Sequence, residues 1–183
     1  MKRRLWILVF AKMSITRALA ACHFIERNIS SEDDPLYYPL VTAIFVLYAR
    51  PFGNNKGVGA LPGAFSQFSR PELLQIHQLI LYGRKKFYAH LDANLRFFDA
   101  VSKPVDYLQQ IALNVRFESD GKATVCAEII EPRFSKVQIP KVRELCEVQI
   151  EKLKNGQHEM IQKLFSNHKL KDGLNLINVF DES

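Results

Sequence analysis

In the stretch GRKKFYAHLD, residues 83–92, three consecutive cations, Arg84, Lys85 and Lys86, are followed by His90 and then Asp92. These residue types suit metal-independent chemistry on a phosphodiester. An arginine presents a planar, permanently charged fork that matches phosphate oxygens, and lysines beside it add charge for a nucleic-acid backbone. A histidine exchanges a proton near neutral pH. In RNA the ribose 2′-hydroxyl can attack the adjacent phosphate, with His90 moving the proton and Arg84 stabilising charge that builds on the phosphate oxygens. Asp92 is placed to orient His90 or to end the helix. On a continuous helix the six steps from Arg84 to His90 turn about 600°, leaving the two roughly 120° apart. They would flank one groove, or converge if the helix ends near His90. The structural reading of the same residues is a solvated cationic helix end, which the helix dipole favours. Spacing alone favours that second reading.

Two further residues belong to the same question. Arg50, in LYARPF at 47–52, could face the same cleft or serve as a salt-bridged helix end. His77 lies on one stripe with Arg84 and is a candidate orienting residue; its structural reading is a satisfied core histidine. Among the aromatic residues, Phe87, Tyr88, Phe97 and Phe98 fall at helical spacing, which favours core packing over base stacking.

The elements that must position these groups are mainly helical. A long first helix is expected over 4–28, apolar round most of its circumference, with one polar stripe at Lys12, Thr16, His23 and Arg27. SSEDDP at 30–35 ends it, and a second helix follows at about 36–49. The glycine-rich loop at 53–65 lacks the GxxxxGK[ST] pattern of a phosphate cradle and reads as a flexible connector. Ser69, Pro71 and Glu72 form a capping-box pattern that opens a helix over about 70–89. Leu73, Ile76, Ile80 and Phe87 form its apolar face. After residue 105, alternating runs on either side of Asp120–Gly121 predict a hairpin over 111–118 and 122–130, which must pack on the helices to be stable. Pro140 starts a last helix, 140–166, with Val142, Leu145, Cys146, Ile150 and Leu153 buried; Gly156 is expected to bend or weaken it. The chain is read as one domain: a helical part over 1–105, a hairpin insertion over 106–135, and a C-terminal helix and tail over 136–183.

Composition bounds the function classes. The net charge is +6, and the whole surplus lies in the first 110 residues, because residues 111–183 hold eleven basic and eleven acidic side chains. That asymmetry suits a polyanion such as RNA. Cys22, Cys126 and Cys146 form no CxxC pattern, which favours a reducing, cytoplasmic setting and argues against a metal site; no cofactor is expected. Lys12 and Arg17 interrupt the apolar N-terminal run, so a cytoplasmic helix is favoured over a signal peptide. The fifteen uncharged residues from Pro35 to Ala49 fall short of the roughly 20 needed to span a bilayer, and no membrane association is expected.

Arg84 and His90, five residues apart within RKKFYAHLD, resemble the Arg-x(4–6)-His motif of the HEPN superfamily, and the local form resembles its RNxxxAHxD version. LYARPF resembles an element that accompanies this motif in uncharacterised HEPN-like proteins. Together they extend the resemblance over about 36–92; the hairpin and last helix lie outside it. The resemblance implies a HEPN-like helical bundle that pairs as a homodimer. It implies a metal-independent endoribonuclease of the kind found in toxin–antitoxin or defence systems, with an antitoxin as a possible partner. Arg84 would bind the scissile phosphate and His90 would act as acid–base in a cleft where the two copies meet. Lys85 departs from the Asn, Asp or His common after the arginine. It supplies charge for RNA without an orienting group, so the alternative is a dimer that binds RNA or nucleotide, or a protein partner, without turnover.

Overall fold

The computed structural model describes residues 2–54, 59–85, 96–98, 104–106, 110–117, 122–130, 134–166 and 173. The fold is mainly α, with a two-stranded hairpin ahead of the last long helix, as the hydrophobic patterning indicates. Its helices are α1 (Lys2–Asn28), α2 (Tyr37–Ala49), α3 (Pro71–Gly83) and α4 (Ile139–Ser166). Strands β1 (Arg96–Phe98) and β2 (Pro104–Asp106) form a short antiparallel pair. Strands β3 (Gln110–Phe117) and β4 (Ala123–Ile130) form the hairpin, with Val115 opposite Val125 and Phe117 opposite Ala123.

Helix α1 is the hub, packing on both α2 and α4. Leu5, Leu8, Ala11, Ile15, Ala18, Cys22 and Ile25 are buried, a three-and-four spacing that runs one stripe along its length. Ala11 and Ala18 carry small side chains and are fully enclosed, so neighbouring backbones approach closely there. Burying each leucine or isoleucine of this stripe contributes about 1.5–3 kcal/mol relative to exposure. The Ser14 hydroxyl, also buried, donates to the Leu47 carbonyl at 2.8 Å and ties α1 to the end of α2. By length and hydropathy α1 also passes the test for a membrane-crossing helix, which the reading of the sequence had not assigned to it. In the fold its buried stripe is covered by α2 and α4.

Helix α4 runs unbroken through Gly156, where a bend was expected. It buries Val142, Leu145, Cys146, Gln149 and Leu153, while Ile150 is only partly covered. The thiols of Cys146 and Cys22 are free and meet across the α1–α4 contact, and this hydrogen bond together with burial pushes the Cys146 thiol up. A tertiary cap precedes α4: the Glu32 carboxylate accepts from the Lys136 amide at 2.6 Å and the Ser135 hydroxyl at 3.1 Å.

Two expectations need correction. Helix α3 is capped by Arg70, not Ser69: Arg70 is extended at φ −99°, ψ 117°, and Pro71 holds the first helical position. The residue before a proline is pushed out of the helical region, which fixes the boundary there. Glu72 accordingly serves no capping box; it accepts from Arg70, whose guanidinium also pairs with Glu144 on α4. At the hairpin tip, Val115, Phe117 and Val125 are exposed, where packing on the helices was expected.

Candidate functional site

The candidate site is built where the last turn of α3 meets the turn that follows α2. LYARPF spans the end of α2 and a 3-10 turn at Arg50–Phe52, with Pro51 in its first position. His77 anchors this turn to α3. Its ring lies 4.8 Å from Phe52 and 5.8 Å from Tyr48, each near perpendicular, and Phe68 closes a third side at 5.1 Å. The Tyr48 hydroxyl and His77 Nδ1 are hydrogen-bonded at 2.9 Å, satisfying two polar groups inside the core. His77 is thus a buried positioning residue for the Arg50-bearing turn, and the structure gives it no open path to a reacting group.

Burial, and then the Lys152 ammonium, lower the His77 pKa to about 4. Lys152 itself lies 4.1 Å over the Phe68 ring and donates to the Gln67 carbonyl. The sign of the pH effect follows from linkage. Between pH 6.5 and about 4 the unfolded chain takes up a proton that the folded His77 refuses, so stability is present above 6.5 and falls on acidification through that window. The full shift corresponds to about 3 kcal/mol, and solvent screening reduces the expected loss to roughly 2 kcal/mol. His77→Gln, which cannot titrate, is expected to flatten this part of the profile. Urea melts of both proteins at pH 7.5, 6 and 4.5 check it, and parallel profiles would refute it.

Two turns beyond His77, α3 ends at Gly83 and continues as a π-type turn at Arg84–Lys85. The Arg84 amide donates to both the Ile80 and Leu81 carbonyls. Gly83 is the residue that inspection of the sequence missed. A Cβ there would sit 2.8 Å from Cδ1 of Phe45 and closer still to Cε1, so the helix backbone lies directly on that ring. Only glycine allows this approach, and it sets where Arg84 leaves the helix. The signal available in the sequence was an unremarked glycine immediately before the motif arginine.

The Arg84 side chain reaches back to the 3-10 turn. Its Nη1 lies 3.9 Å from where a Cβ on Gly53 would sit, and the Arg50 carbonyl is 3.7 Å from the same point. The Nε of Arg84 is shielded from water and has no hydrogen-bond partner among the described residues. Arg50 is exposed and turns the other way, its guanidinium carbon 4.8 Å over the ring of Phe10 on α1. Phe10 in turn stacks on Trp6, centroids 5.4 Å apart and planes within 6°. Lys85 is exposed.

The structure therefore brings Arg84 to the turn that carries Arg50, with His77 holding that turn from beneath. Lys86, His90 and Asp92 lie outside the described residues, as do the side chains of Phe87, Tyr88, Phe97 and Phe98. Among the described residues no cluster of three or more His, Cys, Asp or Glu side chains could hold a metal ion. Compared with protein-family models, curated proteins and solved structures, the chain gives no significant match.

Proposed function

We propose that this protein recognises RNA phosphate at the end of α3 and cleaves the backbone without a metal, in the manner the HEPN resemblance implies. The observation that carries the reading is the Arg84 guanidinium, drawn to Gly53 beside the Arg50-bearing turn, with a shielded Nε unpartnered among the described residues. A shielded cationic donor without an acceptor is costly, and a phosphate oxygen meets that need. The charge distribution supports the same partner, since all of the cationic surplus falls in the first 110 residues. Arg84 binds and polarises the phosphate; His90 exchanges the proton of the 2′-hydroxyl and of the leaving oxygen; Lys85, Lys86 and Arg50 hold the flanking backbone. Asp92 orients His90, and a homodimer brings two copies of the motif into one cleft. A toxin or defence role with an antitoxin partner belongs to the same proposal.

The test is incubation of single-stranded RNA with the protein in chelator. Cleavage that persists, leaving 2′,3′-cyclic phosphate ends, is the expected result. RNA that is bound in a salt-dependent way but stays intact would replace the enzyme by a non-catalytic binder. Absence of both binding and cleavage would end the proposal.

A further inference from the structure

We infer that Trp6 and Phe10 on α1, with Arg50 laid over them, form a stacking subsite for an unpaired base of the RNA whose phosphate Arg84 receives. The inference rests on the function proposed above and adds a part of the molecule which neither the motif nor its resemblance includes.

Three flat groups are arranged in series. The Arg50 guanidinium covers Phe10 at 4.8 Å, and Phe10 is nearly coplanar with Trp6. Ring pairs four residues apart on a helix share a face, but that spacing does not by itself make them parallel. The 6° interplanar angle gives an offset stack capped by a cation, an arrangement that a nucleobase can extend. Trp6 and Phe10 are both half-buried, so part of the ladder faces solvent. Arg3 and Arg4, on the turn before Trp6, are exposed. Arg50 links the two regions: its side chain closes the stack on α1 and its carbonyl stands at the point that Arg84 approaches. A strand whose phosphate meets Arg84 therefore has a π surface within the reach of the neighbouring turn. Stacking of this kind is tolerant of sequence, because every base has a flat face.

Trp6 is the single tryptophan of the chain, so its emission reports on this subsite alone. The experiment titrates the full chain with a single-stranded 2′-O-methyl oligonucleotide, which lacks the attacking hydroxyl and stays intact. Saturable quenching of Trp6 emission is expected. By anisotropy of a labelled oligonucleotide, Trp6→Leu should weaken binding roughly 5- to 150-fold, the range for loss of one stacked base. Trp6→Phe, which keeps a flat ring, should restore most of that affinity, and circular dichroism should show both variants folded. If the oligonucleotide binds, Arg84→Ala weakens it, and Trp6 emission and Trp6→Leu affinity stay unchanged, the stacking inference falls while the proposed function stands. If no oligonucleotide binds, both fall. A blue shift with phosphatidylglycerol vesicles and no response to oligonucleotide would assign this face to a membrane surface and overturn the inference.

Discussion

Gly83→Val is expected to destabilise the fold by about 3 kcal/mol or more, and Gly83→Ala by roughly 1–3 kcal/mol, the cost of overpacking a closed core. Glycine to alanine inside a helix ordinarily gains up to about 1 kcal/mol from backbone propensity. Here the contact outweighs that gain. Phe45 is 2% exposed and cannot swing outward. Its ring stands edge-on to Phe134 at 5.1 Å, and the Phe134 carbonyl is held by the Tyr37 hydroxyl at 2.6 Å. The added methyl must therefore push α3 away from α2, carrying Arg84 away from Gly53. Urea denaturation measures the first effect and RNA affinity the second. A compensating Phe45→Leu change should recover part of the loss, giving a favourable coupling in a double-mutant cycle. A Gly83→Ala protein as stable as the parent would show that the ring yields.

Loss of cleavage is the second large effect. His90→Ala is expected to lower the rate by about 10²–10⁴-fold, the usual contribution of a positioned acid–base group. Arg84→Ala should cost about 10²–10³-fold by removing charge stabilisation. It should also weaken binding of the uncleavable oligonucleotide, which His90→Ala should leave nearly intact. Arg84→Lys is the discriminating variant. It keeps the charge but not the planar fork, so it should retain much of the binding and little of the rate. Single-turnover cleavage beside anisotropy separates the two quantities. A His90→Ala protein that cleaves at the parent rate would remove the histidine from the mechanism, whatever Arg84 does.

These expectations differ in how far they could be read from residues in order. The long helices and the hairpin were legible to within about two residues, because an apolar stripe, a proline at a helix start and an Asp-Gly turn act through neighbours along the chain. The start of α3 was less so. Ser69 and Glu72 satisfy a capping pattern, yet Pro71 sets the boundary, and Arg70 is drawn to Glu144, 74 residues away. In α4 the fully enclosed position is Gln149, with Ile150 only partly covered, a rotation that periodicity alone did not resolve. His77 was legible as a core histidine, but not as the support of the Arg50 turn, because Tyr48 and Phe52 reach it from another helix.

What the order of residues determined by itself was the helical class, the place of the hairpin, the basic first half and the candidate chemistry of Arg84 and His90. Tertiary structure alone decided that Gly83 must bear the Phe45 ring, that Arg84 turns toward Gly53, and that Arg50 caps the rings of α1. The physical reason is range. Propensity, capping and turn formation are settled within a few residues, whereas a close backbone contact or a shielded guanidinium depends on which distant surfaces the packed helices press together.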